Sequence, residues 1–106
     1  MFKLELMTIA LVKELRPIVQ RIAREDRSLA DQMRRSASSI ALNTSESAYA
    51  KGANRKALLH VAAGSANETR AALRVAAAWG YVGEDDVKHV DDRIDHVLAV
   101  LWKLTH

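Results

Sequence analysis

Apolar side chains recur every three or four positions through nearly the whole chain, which is the period of an α-helix with one buried face. Leu4, Leu11, Leu15, Ile18 and Ile22 define a first helix from about Lys3 to Arg24. Pro17 lies inside it, removing a backbone donor and crowding the preceding turn, so a kink near residues 13–17 is expected. Asp26 or Ser28 can cap a second helix, with Asp31 suited to Ser28, and this helix continues to about Ala50, where Gly52 is expected to end it in a left-handed turn. Asn54 is the expected cap of a third helix extending to Tyr81. Gly83 then breaks the chain, and Glu84, Asp85 and Asp86 place negative charge at the positive end of a fourth helix running to about Leu104. Its seam is Val87, Val90, Ile94, Val97, Leu98, Leu101 and Leu104. Short connections make consecutive helices antiparallel neighbours, so the expected fold is an all-α, up-and-down four-helix bundle in one domain, residues 1–106.

The middle of the pattern differs from its ends. From Ser36 to Glu68 the helical faces are lined with Ala, Ser, Thr and Gly: Ala37, Ala41, Thr44 and Ala48 share one face, and Ala62, Ala66 and Thr69 share another. Small side chains let helix backbones approach closely. Asn43, Glu46, Ser65 and Glu68 sit among them, and a polar group in such a seam must find partners or cost about 1–3 kcal/mol. They are read as a hydrogen-bonded network pinning the second and third helices or a subunit boundary.

The same residues carry a resemblance. Met33-Arg34-Arg35-Ser36, Ser39-Ile40 with Asn43 and Glu46, Ala63-Gly64-Ser65-Ala66-Asn67-Glu68, and Trp79-Gly80-Tyr81-Val82 resemble, in order and spacing, the 23S rRNA intervening-sequence or four helix bundle protein family. One departure is Ser47, where the family usually has Gly. The resemblance implies an antiparallel four-helix bundle that assembles as a homopentamer. A relative of that family is the accessory protein of diversity-generating retroelements, which implies a reverse transcriptase and RNA or DNA as partners.

Composition points the same way on assembly. Ala supplies 18 of the 52 apolar residues and aromatics only 5% of the chain, so a lone bundle has a thin core that oligomerisation would reinforce. On the third helix the polar stripe is narrow (His60, Asn67, Arg70, Arg74) and much of the remaining circumference is apolar, which leaves a second side free for another subunit. Without Cys there are no disulfides or thiolate metal sites. The N-terminal MFKLELMTIA carries Glu5 and does not read as a signal peptide, and Lys13, Glu14 and Arg16 interrupt the best candidate for a membrane span, so a cytoplasmic location without membrane contact is expected.

The net charge of +3 hides an asymmetry: residues 1–83 hold 13 Lys/Arg against 7 Asp/Glu, residues 84–106 hold 3 against 6. Lys13, Arg16, Gln20, Arg24 and Arg27 form a basic stripe on the first helix and its loop, to which Arg34, Arg35, Lys51, Arg55 and Lys56 add charge near helix ends and turns. Such arrays attract phosphates, and counterion release drives the binding. The competing reading is a solvated helix face, because Glu14, Glu25 and Asp31 lie close by in sequence. No aromatics interleave these cations, so weak sequence preference is expected. Asp85, His89, Asp92 and His96 share one stripe of the fourth helix, read as a solvated face with Asp–His pairs rather than a metal site, since no second helix offers converging ligands. The serines lack a nucleophile turn and a neighbouring base, and Ala63-Gly64-Ser65 lies within a helix rather than in a phosphate-cradling loop. A non-enzymatic protein without cofactor is therefore expected. Two functions remain: a homo-oligomeric accessory factor that binds nucleic acid through its basic surface, or a scaffolding oligomer that binds a protein partner. Trp79 and Trp102 are expected to pack in the core or an interface.

Overall fold

A computed structural model describes residues 2–106. Four helices follow one another: α1 (Phe2–Glu25), α2 (Arg27–Ser47), α3 (Gly52–Ala78) and α4 (Glu84–Thr105). They form an antiparallel bundle measuring 42 × 22 × 19 Å, packed in cyclic order α1–α2–α3–α4. The described residues contain no strand. Every residue of the expected α1 seam is buried, as are Val90, Ile94, Val97 and Leu101 of α4. Leu104, expected in that seam, is exposed, because the buried line passes from Leu101 to Thr105 and leaves Leu104 to its side.

The connections depart from the sequence expectation in specific ways. Asp26 does cap α2, accepting from the Leu29 N–H at 3.0 Å, but Asp31 pairs with Arg34 at 2.9 Å instead of serving Ser28. Helix α2 ends at Ser47, short of Ala50, so Ala48 falls in the following turn and is exposed. Gly52 does not end α2; with φ +57° it opens α3, whose N-cap is Lys51 without a side-chain bond, leaving Asn54 inside the helix. The third helix ends at Ala78, three residues before Tyr81. Gly80 makes the turn, at φ +82°: its N–H donates to the Ala77 carbonyl and the Tyr81 N–H to the Ala76 carbonyl, both at 2.9 Å. This paired closure satisfies two orphan carbonyls and needs a left-handed residue that glycine supplies without strain. Gly83 keeps extended geometry as the N-cap of α4. Helix α1 runs unbroken through Pro17, whose ring is exposed.

Helices α2 and α3 make the most extensive pairing in the bundle, and α1 and α4 the least of the adjacent pairs. The reason is the small-residue seam. Ala37, Thr44, Ala62, Ala66 and Thr69 are all buried along it, and side chains of that size let the two backbones approach.

Candidate nucleic-acid interface

Of the nine cations picked out by sequence, Lys13 and Arg16 rise from the outer turns of α1 and Arg34 from α2, where they edge a groove of about 360 Å³ between the two helices. Its floor is apolar: Val12, Leu15, Val19 and Ala37. Arg24 and Arg27 continue this face to the α1–α2 turn, and Arg35 lies on the outer side of α2 beside Arg34. Lys51, Arg55 and Lys56 do not join them. They belong to the α2–α3 turn at the opposite end of α2, about 30 Å from Arg27 at 1.5 Å per helical residue. The structure therefore divides the predicted basic surface into an α1/α2 face and a separate end cluster.

What distinguishes these cations is that they are unengaged. Among the described residues only Arg34 of the nine forms an ion pair. Three cations outside that set, Arg21, Arg70 and Arg74, are instead paired with the acidic fourth helix. Arg70 Nε lies 2.9 Å from Asp91 Oδ1, and Arg70 also pairs with Asp95; Arg74 reaches Asp91 at 3.2 Å. Arg70 Nε and Asp91 Oδ1 are off the hydrogen-bond line, so that contact is coulombic. On the other side of α4, Arg21 pairs with Asp86 at 2.7 Å and Arg93 with Glu14 at 3.0 Å. Acids of α4 thus neutralise Arg70 and Arg74 of α3 and Arg21 of α1, Glu14 of α1 answers Arg93 of α4, and the unpaired positive charge falls mainly on α1/α2 and the α2–α3 end.

The polar seam lies between α2 and α3. The Asn43 amide donates to the Ser39 carbonyl at 2.9 Å and to Ser39 Oγ at 3.0 Å, and Ser39 Oγ shares a hydrogen bond with Ser65 Oγ at 2.7 Å. One level up, Ser36 Oγ and Thr69 Oγ1 share a hydrogen bond at 2.8 Å, with the Met33 carbonyl within reach of the Ser36 hydroxyl and the Ser65 carbonyl within reach of the Thr69 hydroxyl. Asn43 and Ser65 are therefore brought together through Ser39. Glu46 and Glu68 are exposed, and no hydrogen bond or ion pair reaches either carboxylate among the described residues, so within one subunit these side chains pin nothing. Ser47, at the family's Gly position, is buried at the end of α2, and its hydroxyl donates to the Thr44 carbonyl at 2.6 Å. Asn43→Ala removes the donor that orients Ser39; a loss of about 1 kcal/mol is expected, read as a fall of about 4–8 °C in Tm by circular dichroism. An unchanged melt would show that the seam holds without it.

The sequence profile of the 23S rRNA-intervening sequence protein family matches residues 5–103, nearly the whole bundle. The chain belongs to that family. Among solved structures, a protein of unknown function from the S23 ribosomal protein family of Bacteroides thetaiotaomicron superposes with a TM-score of 0.89 at 18% identity, covering 96% of this chain and 97% of that one. At that identity the likeness establishes the fold. A comparison with functionally curated proteins gave no significant match.

Two features of this 23S rRNA-intervening sequence family member escaped the sequence pattern. Trp79 and Trp102, expected in a core or interface, are 69% and 61% exposed in the subunit. Trp79 stacks on Tyr81 across the Gly80 turn, ring centroids 6.4 Å apart. Burial, then the charges of Asp26 and Glu25 and a hydrogen bond to Asp26, raise the Tyr81 phenol above its ordinary pKa of 10.0. Trp102 stacks on His106 at 4.5 Å, and His106 in turn meets His60 edge-on at 6.3 Å. His60, isolated in sequence, acquires its neighbours only when α4 returns alongside α3. The stripe of Asp85, His89, Asp92 and His96 is exposed; Asp92 pairs with Lys88 and His89 with Glu14, and no metal-holding group of three or more ligands exists among the described residues. No helix among them is long and apolar enough to cross a membrane.

Proposed function

We propose that the protein is a non-enzymatic, homo-oligomeric accessory factor that binds nucleic acid through the basic face of α1 and α2, acting in the cytoplasm. One observation carries this reading. The α1/α2 cations Lys13, Arg16, Arg24, Arg27 and Arg35 have no ion-pair partner among the described residues, whereas Arg21, Arg70 and Arg74 are neutralised by α4, Arg34 by Asp31 and Arg93 by Glu14. A surface that spends its acids on α3 and the inner edge of α1 and leaves this face uncompensated is suited to phosphates. The apolar side chains left exposed on the outer faces of α2 and α3 support assembly: Leu42, Val61 and Val75 are all open to solvent in a single subunit. Glu46 and Glu68 lie on the same outer faces, and their role belongs to that subunit boundary. The sequence resemblance makes a pentamer the assembly to test first and adds a reverse transcriptase as the protein partner to test.

Assembly also answers an energetic difficulty. One subunit offers few positive groups, and a contact of that size is weak at physiological salt; repeating the face around a ring lets several phosphates be met together, with the later contacts strengthened by effective concentration. Light scattering at micromolar concentration should give a mass several times the 11.8 kDa of one chain. RNA affinity should fall linearly on a log–log plot against salt, with a slope of about −0.7 for each phosphate neutralised on a single strand. An assembled protein that ignores RNA and DNA at low salt would favour the scaffolding role and a protein partner. A stable monomer would remove the assembly itself.

A further inference from the structure

The end of the bundle where α3 begins and α4 finishes combines two properties that the sequence keeps apart. Cations outnumber acids there: between Glu46 and Glu68 the chain has Lys51, Arg55 and Lys56 and no acid, and after Asp95 it has Lys103 and no acid, against Glu5 in the first turn of α1 and Glu46 at the end of α2. Arg55 and Lys56 line an open pocket with Leu59 and, from the end of α4, Leu104. His60 follows Lys56 by one helical turn and so sits on the same face of α3. From α4, His106 closes on it.

The aromatic geometry is fixed rather than loose. Thr105 Oγ1 donates to the Leu101 carbonyl at 2.9 Å, so it can accept from His106 Nδ1 at 3.1 Å; the same Nδ1 lies 3.0 Å from the Trp102 carbonyl. Both contacts call for a proton on Nδ1 and leave Nε2 as a free acceptor. The ring is thereby held against Trp102, 13° from parallel. With His106 on one face of the indole, the exposure of Trp102 is that of its other face and its edges. This is a stacking surface already in place, bordered by cations.

We propose that Trp102, backed by His106 and flanked by Lys56 and His60, is a stacking subsite for an unpaired base of single-stranded RNA or DNA. The subsite rests on the nucleic-acid reading given above and narrows it to strands with accessible bases. Stacking on an indole needs only a π-face, and a duplex does not offer one along its length. Phosphates on either side of the stacked base then fall to Arg55, Lys56 and Lys103. The opposite end of the bundle supplies the contrast. Trp79 is equally exposed and also stacked, but its stacking partner Tyr81 lies beside the charges of Asp26 and Glu25, so its immediate setting is acidic although Arg24 and Arg27 belong to the same end of the bundle. Of the two exposed tryptophans, only Trp102 has the charge setting of a nucleic-acid contact.

The chain has two tryptophans, so Trp79→Phe leaves Trp102 as the sole indole reporter. In that variant, a short oligouridylate should quench the fluorescence on binding, and a blunt RNA duplex of the same length should bind with little quenching. Trp102→Ala should weaken oligouridylate binding about tenfold and duplex binding by less than about twofold, with Trp102→Phe between parent and alanine variant. The side chain is exposed, so the fold is expected to survive, and an unchanged circular-dichroism melt checks this. Bound oligouridylate that leaves Trp102 fluorescence unmoved, or Trp102→Ala binding as tightly as parent, overturns the subsite while the basic face stands. A parent protein that binds neither strand form at low salt overturns both.

Discussion

Placing a phenylalanine at position 66 is expected to lower the melting temperature by about 5–20 °C, from an overpacking cost of about 1–3 kcal/mol in a domain of this size. Ala66 has no solvent exposure, and neither does Ala62 one turn before it. Its neighbours in sequence on both sides are tied to α2: Ser65 bonds Ser39, and Thr69 bonds Ser36. The seam therefore cannot open by a simple slide of α3 without losing both bonds. A large ring at Ala66 must either displace buried side chains such as Ile40 and Leu11 of the same core or push the helices apart and strand the serines. The same change at Ala71, which is exposed on α3, is the control and should alter the melt little if the subunit is measured as a monomer. A melt for Ala66→Phe within about 2 °C of the parent would mean that the seam has slack and that small residues are not what sets the α2–α3 spacing.

How much of this was legible in sequence depended on whether the signal was local. The α1 seam was fully legible, because burial at Leu4, Leu11, Leu15, Ile18 and Ile22 follows from periodicity alone. The turns were less so. Gly52, Gly80 and Gly83 are alike as letters, and only backbone geometry separates Gly80, which closes α3, from Gly83, which keeps an extended conformation any residue adopts. Asn54 looked like a cap because Asn caps well, but the left-handed Gly52 lets α3 start earlier, with Lys51 at the cap position. The charged residues were the hardest. Arg70 and Arg74 share one helical face as Lys13 and Arg16 do, and what neutralises them, Asp91 and Asp95, lies a helix away. Pairing of that kind is a property of the packed bundle. The Trp102–His106–His60 cluster is invisible for the same reason, since its members come from two helices that meet only in the fold.

This difference in pairing gives the basic face its sharpest test. Changing Arg16, Arg24 and Arg27 together to Glu is expected to reduce RNA affinity by about a hundredfold or more at low salt and to flatten the salt dependence, because each subunit loses phosphate contacts and gains repulsion in their place. The three side chains are exposed and make no ion pair among the described residues, so the melting temperature should stay within a few degrees of the parent. The converse holds for Arg70 and Arg74. Their replacement by Gln frees Asp91, which is partly buried with Arg70, and is expected to cost stability while leaving RNA binding close to parent. The pair of variants separates charge that holds the bundle from charge that meets a ligand. If the triple Glu variant binds RNA as tightly as the parent, the α1/α2 face is a solvated surface and the binding belongs elsewhere, to the Lys51, Arg55 and Lys56 end first. If it instead loses assembly in light scattering at unchanged melting temperature, those arginines serve a subunit contact, and the face belongs to the oligomer rather than to a nucleic acid.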